Sequence, residues 1–313
     1  MMWQQSQQGA AAFATASQHL SDAMTHYCQP EPVSKARQAE RLIPVQQAWQ
    51  QAMNAWMILQ GRDKGAESAL ALSWHIQFWP DKKNTVGRQL MQWLKQDKAW
   101  QIDDLQDASV AVQGLGALEW FLYAHQDVLM TPQGCQFASA IGEHLAQTGQ
   151  ALNQAWTSNP WASVPAPMVL GEYVGALNNQ LDRSMKKLTA PLGKPGRPKP
   201  YQAEAWRSGS SLMHLKASVV AMQQWYLMEN VGLDALLRTR GESALADRIA
   251  NQFVDLLSRW PTEPSMGALL STPEGYRRLL MLFNGLEYIQ FALQDDVAPA
   301  LGIVMGFNAT DGD

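Results

Sequence analysis

Val110-Ala111-Val112-Gln113-Gly114-Leu115-Gly116-Ala117-Leu118-Glu119-Trp120-Phe121-Leu122 carries only two polar side chains, Gln113 and Glu119, in 13 residues. A helix of this composition is apolar almost all round and is therefore buried on most sides. Glu119 goes in with it, because its neighbours at helical spacing are Val112, Leu115, Gly116, Leu122 and Tyr123. A buried carboxylate must be paired, hydrogen-bonded, metal-bound or protonated. The glycines add to the puzzle, since each costs about 1 kcal/mol relative to alanine inside a helix. Another backbone or a ligand should need the missing bulk.

Outward from this stretch the pattern stays helical. Asp103 or Asp104 opens the long helix expected to contain it. Upstream, helices are expected over residues 3–27, from Ser34 to about 60 with a kink at Pro44, over 67–78, and over about 85–96. Trp79-Pro80-Asp81-Lys82-Lys83-Asn84 reads as a turn, with Asn84 capping the helix that follows. Downstream, helices are expected over about 135–156, 168–188, 201–238, 243–260 and 274–297, the last with Pro273 in its first turn. Residues 158–167 hold three prolines in ten and mark a boundary, and the basic, proline-rich residues 191–200 read as a stiff, solvated loop.

Short alternating runs rich in branched residues do not recur, so the fold expected is all-α. It divides into an N-terminal helical bundle, residues 1–160, and a C-terminal one, 161–313. Phe283-Asn284-Gly285-Leu286-Glu287-Tyr288-Ile289 again sets a carboxylate beside glycine, leucine and an aromatic. This hints at a pseudo-repeat, two packed bundles of related plan with a cleft between them.

Composition narrows the function classes. With 46% hydrophobic and 17% charged residues over 313 positions, the chain can build a large core and is not disordered. Its net charge of −4 and the lack of a basic stripe argue against a nucleic-acid partner. Thirteen tryptophans and 15 methionines read first as core packing. No run of 18 apolar residues occurs, which excludes a membrane-spanning helix. The start, Met1-Met2-Trp3-Gln4-Gln5, lacks a basic and then apolar leader. A cytosolic protein and a mature form whose signal has been cut both fit. The only cysteines, Cys28 and Cys135, fit either one disulfide or two unrelated thiols.

Familiar catalytic motifs are missing. There is no His-Glu-x-x-His, no Glu-x-x-His, no Gly-x-Ser-x-Gly, and no glycine-rich phosphate loop behind a strand. Taken singly, the six histidines read as surface or satisfied core residues. Arg207, set among small polar residues, reads as a surface arginine or as the partner of a buried carboxylate such as Glu119 or Glu287.

Gln113-Gly114-Leu115-Gly116-Ala117-Leu118-Glu119-Trp120-Phe121-Leu122-Tyr123 resembles the signature helix of the imelysin-like proteins, peptidase family M75, whose hallmark is Gly-x-His-x-x-Glu. Trp74 to Arg88, containing Ile76-Gln77-Phe78-Trp79-Pro80-Asp81-Lys82-Lys83-Asn84, is similar to the equivalent segment of the iron-regulated lipoprotein branch. Trp206-Arg207-Ser208 and Gly306-Phe307-Asn308 with Asp311-Gly312-Asp313 are similar too. The resemblance implies two packed helical bundles with the signature helix facing a cleft, and a ligand-binding cleft formed by Gly114, Gly116, Glu119, Arg207 and Ser208. It also implies export to the periplasm or outer membrane, with the signal sequence and any lipid anchor absent from this chain. Cys28 and Cys135 would then be oxidised.

The partners implied are iron or an iron-containing ligand and other envelope iron-uptake proteins. Iron or another divalent metal would be the cofactor, with Glu119 as its ligand. One departure matters: Gly116 stands where the signature has histidine. His and Glu three residues apart on a helix share a face and reach one metal ion. Without that imidazole a non-proteolytic binding protein is expected. The alternatives are a metallopeptidase in which His75, His125 or His214 supplies the lost ligand, or a structural, partner-binding module.

Overall fold

The computed structural model describes residues 2–29, 35–61, 64–96, 98–228 and 231–303. The expected Ser34 cap and the terminal motif from Gly306 to Asp313 lie outside the described residues. The protein is all-α: among the described residues there is no strand, only a single bridge between Lys194 and Arg197. No described helix is long and apolar enough to cross a membrane. The chain falls into two compact units, one from Met1–Trp56 and Ala66–Asn159, the other from Met57–Gly65 and Pro160–Asp313.

The first unit contains α1 (Met2–Tyr27), most of α2 (Lys35–Leu59), α3 (Glu67–Ala71), α4 (Ser73–Ile76), α5 (Thr85–Leu94), α6 (Asp103–Gln106), α7 (Gly114–Glu119), α8 (Gln126–Leu129) and α9 (Pro132–Ala155). α1 packs along α9 over a stripe of small residues. A Cβ at Gly149 would lie 3.2 Å from Ala14 Cα, and one at Gly142 would lie 3.6 Å from Ser21 Cα. Both ends of this pair are fastened. Trp3 Nε1 donates to Trp156 O at 2.8 Å at one end, and the Cys28–Cys135 disulfide, Cα–Cα 5.5 Å, closes the other. Replacing both cysteines by serine should lower stability by about 2–4 kcal/mol, since the bridge closes a loop of more than 100 residues. Urea unfolding of the oxidised wild type, the reduced wild type and the double variant checks this; the last two should coincide.

The second unit contains α10 (Ala166–Leu192), α11 (Ser211–Leu227), α12 (Leu233–Thr239), α13 (Ser243–Ser258), α14 (Met266–Leu270), α15 (Pro273–Phe291) and α16 (Ala298–Ala300). α10 packs against α15 and α11, and α13 packs against α15, α11 and α12. Buried aromatics sit within these contacts, where Tyr173 and Trp225 meet at 4.9 Å and Tyr226 and Phe253 at 5.9 Å.

The halves share one local device. α9 and α15 both begin Thr-Pro-x-Gly: Thr131 Oγ1 accepts from Gly134 N and Thr272 Oγ1 from Gly275 N, each at 3.0 Å. In both, the glycine leaves room for the preceding short helix, because a Cβ would fall 2.0 Å from Val128 O or Leu269 O. The carboxylates of the suspected repeat differ: Glu119 is 3% exposed, whereas Glu287 on α15 is half-buried.

Several expected helices are broken. Residues 67–78 form α3, α4 and an extended piece. Residues 201–238 form a turn, then α11 and α12. Asn84 makes no side-chain cap; its backbone is left-handed at φ 50°, and the cap of α5 is Asp81, whose Oδ1 accepts from Thr85 N at 2.5 Å and Oδ2 from Val86 N at 3.2 Å. Most important, 103–122 is not one long helix. It is α6, a 3₁₀ turn at Val110–Val112, α7, and then a π-helical turn at Trp120–Ala124.

Candidate functional site

The break before α7 is made by Gln113 and Gly114. Gln113 is extended, with φ −119° and ψ 168°, and its side chain is 1% exposed. Its amide Nε2 donates to Leu105 O at 2.7 Å and Ala108 O at 2.8 Å, which fixes the amide orientation. The amide oxygen therefore faces His75 Nδ1 at 2.7 Å and accepts from it. In the neutral imidazole the lone pair then lies on Nε2 of His75.

Gly114 adopts φ +69°, and a Cβ there would lie 2.3 Å from Ile76 O and 2.5 Å from His75 O. The missing bulk is thus required by a backbone, the end of α4. From there the chain runs extended past α7, so that at Gly116 the nearest atoms to an added Cβ are Gln77 Oε1 at 3.8 Å and Phe78 O at 3.9 Å. These are ordinary contact distances, and Gly116 is not a steric necessity. Gln77 is 4% exposed and its Oε1 has no hydrogen-bond partner. Two segments far apart in sequence, 75–78 and 114–119, are thereby brought side by side.

Glu119 ends α7 and lies one turn beyond Gly116 on the same face. Tyr123 is close enough to feel its charge: burial pushes the phenol up to about 12, against the lowering effect of the Gln50 hydrogen bond, and the Glu119 carboxylate adds to the rise. The helix is braced from α2. Trp49 Nε1 donates to Leu115 O at 2.9 Å, Gln50 Nε2 donates to Tyr123 Oη at 3.0 Å, and Tyr123 Oη donates to Gln46 O at 3.2 Å. The π turn after Glu119 displaces carbonyls from the regular ladder, and Leu122 O accepts from Gln46 Nε2 at 2.9 Å and Gln126 Nε2 at 3.0 Å. Such turns recur at functional sites.

The remaining candidates have neighbours of their own. His125 stacks on Trp120, with ring centroids 3.9 Å apart. His144, from α9, lies 6.3 Å from the His75 ring, and burial lowers its pKa with help from His75; its buried Nδ1 has no hydrogen-bond partner. Arg207 and Ser208 belong to the second unit. There Arg207 lies over the Trp206 ring at 4.7 Å, and Ser208 Oγ donates to Ala205 O at 3.0 Å in a turn where Ala205 itself is left-handed. Among the described residues no group of three or more His, Cys, Asp or Glu side chains is placed to hold a metal ion.

Sequence reasoning missed one buried charge cluster, inside the second unit. Lys187 Nζ lies 2.6 Å from Glu204 Oε2, and both residues are 2–3% exposed. Gln60 joins them, donating from Nε2 to Glu204 Oε1 at 3.0 Å and accepting from Lys187. Burial pulls Lys187 down to about 8 despite the neighbouring Glu204 charge. Burial pushes Glu204 up, but the Lys187 charge, the hydrogen bonds from Lys187 and Gln60 and the Arg183 charge together hold the carboxyl below its ordinary value. Burial also pushes His214, beside them, down to about 4, so it is neutral at pH 7. The available signal was Lys187 falling on the buried face of α10 with Ser184, Leu188 and Pro191.

The fold and this site define an all-α protein built around a buried carboxylate helix that starts at a backbone-constrained glycine. The chain belongs to the imelysin family, Peptidase M75, whose model matches residues 6–292. No curated protein matches it. Among solved structures it is similar to an imelysin-like protein from Psychrobacter arcticum 273-4, with 21% identity, a TM-score of 0.77, and coverage of 96% of this chain and 93% of that one. It is also similar to a putative iron-regulated protein A precursor from Parabacteroides distasonis ATCC 8503, with 14% identity, a TM-score of 0.64, and coverage of 92% and 91%. At these identities the likeness is one of fold.

Proposed function

We propose that this protein is an exported member of the imelysin family that serves iron acquisition by binding iron or an iron-containing ligand at the Glu119 site, without catalysis. The observation that carries the reading is Gly116 one turn before the buried Glu119, in the place of the signature histidine. A carboxylate without that imidazole keeps a binding group for a cation and loses the paired ligand set a catalytic zinc would use. The iron connection draws support from the similarity to a protein described as iron-regulated. Export draws support from that protein's being a precursor and from the Cys28–Cys135 disulfide, which suits an oxidising compartment. Other envelope iron-uptake proteins are the natural partners under this reading.

Calorimetric titration of the purified protein with ferric citrate and with haem tests it: saturable binding of one of them is expected, and no binding of either would contradict it. A second reading, a metallopeptidase with a displaced nitrogen ligand, draws on His75, whose Nδ1 is held by Gln113 Oε1, and on the His144 ring 6.3 Å from it. Zinc-dependent cleavage of a casein substrate, abolished by His75→Ala, would favour it over the first.

A further inference from the structure

α15 is apolar on two sides. Leu279, Leu282, Leu286 and Ile289 form its buried face, where Gly285 admits a side chain of α13: a Cβ there would lie 2.8 Å from Leu256 Cδ1. The opposite face carries Leu280, Met281, Asn284, Tyr288 and Phe291, all exposed, with Met281 at 58% and Phe291 at 55%. Their spacings of three and four residues set them in one stripe along the helix. A contiguous exposed stripe of large apolar side chains marks an interaction surface. Charge brackets it. Arg277 stands one turn before Met281, and Asp295 stands about one turn after Phe291, in the π-helical turn Ala292–Val297 that continues α15; both are exposed. Within its own helix Arg277 pairs with Glu274 at 3.2 Å, an exposed contact that holds little energy and is readily exchanged.

We propose that this face docks a second copy of the chain, α15 against α15, antiparallel and centred on residue 286. The stripe is self-complementary in that register. Met281 meets Phe291 of the other copy, Asn284 meets Tyr288, and Arg277 meets Asp295. Each contact occurs twice, as a two-fold interface requires. A thioether against an aromatic ring, an amide against a phenol hydroxyl and a guanidinium against a carboxylate are all favourable pairs. A parallel pairing would instead set Arg277 on Arg277 and Asp295 on Asp295. An unrelated partner would leave the match between the two ends of one helix without a cause. Contact along the whole stripe, about 28 Å for a helix of 19 residues, needs a shallow crossing of about 20°. One helix from each copy makes an interface at the small end of the specific range, so monomer and dimer should exchange at micromolar concentration.

Sedimentation velocity of the full chain over a concentration series, at low ionic strength where exposed charges are least screened, tests this. The wild type should pass from monomer to dimer as its concentration rises. Met281→Asp, which would bury a carboxylate against an aromatic ring, should raise the dimer Kd at least tenfold. Far-UV circular dichroism should be unchanged, because the side chain it replaces is exposed. Arg277→Asp and Asp295→Arg should each weaken the dimer by a similar factor, since each sets like charges opposite one another. Mixed in equal amounts, these two variants should dimerise again, because every charge in the mixed pair faces its opposite. A wild type that stays monomeric at every concentration overturns the inference, as does a dimer that Met281→Asp leaves intact. A mixture that associates no better than either variant alone also overturns it, because the antiparallel register is then wrong.

Discussion

Gly114→Ala is expected to destabilise the protein by about 3 kcal/mol or more, from a left-handed backbone penalty of about 1–2 kcal/mol and an overpacking penalty of about 1–3 kcal/mol. The numbers follow from position. φ is +69°, and the new Cβ would fall 2.3 Å from the Ile76 carbonyl oxygen, a rigid backbone atom at the end of α4. Gly116→Ala should have the opposite sign. Its nearest contacts are at 3.8 and 3.9 Å, its backbone is regular helix, and alanine is favoured there by up to about 1 kcal/mol. Chemical denaturation of the two variants side by side checks both magnitude and sign. Equal effects would mean that the helix start is not positioned by the 75–76 backbone.

The second large effect lies far from α7. Glu204→Gln leaves the Lys187 ammonium buried without its counter-ion, and Lys187→Met leaves the Glu204 carboxylate in the same state. Each should cost about 3–5 kcal/mol, lowering the thermal midpoint by on the order of 10 °C. Removing the whole polar group is a different matter. The triple variant Gln60→Leu, Lys187→Met, Glu204→Leu should recover most of the loss, because Gln60 would otherwise be stranded once both partners are apolar. Additive losses across the three positions would show that the cluster does not act as a unit.

These two expectations mark what the sequence could and could not disclose. The burial of Glu119 was legible, since thirteen residues with two polar side chains leave a carboxylate no outward face. The all-α class was legible for a similar reason, because apolar residues recur at helical spacing through long segments and strand signals are missing. The interruption at Gln113 was not. Nothing local marks Gln113 as a residue that will bond two carbonyls behind it and a histidine 38 positions away. The same holds for the Lys187–Glu204 pair, which joins α10 to the turn before α11. Hydrophobic spacing reports which face of an element is buried. Which polar atoms meet there is decided by packing between elements that are distant in sequence. Short interruptions such as the π turn at Trp120–Ala124 also escape, because the apolar pattern runs through them unchanged.

The central claim is that the Glu119 carboxylate holds the ligand, and the direct measurement is ferric citrate binding to wild type and to Glu119→Gln by titration calorimetry. Near-UV circular dichroism should confirm that the two share a fold, since the substitution is nearly isosteric. The account predicts saturable one-to-one binding to the wild type and at least a tenfold loss in the variant. Superimposable isotherms for the two proteins would contradict it.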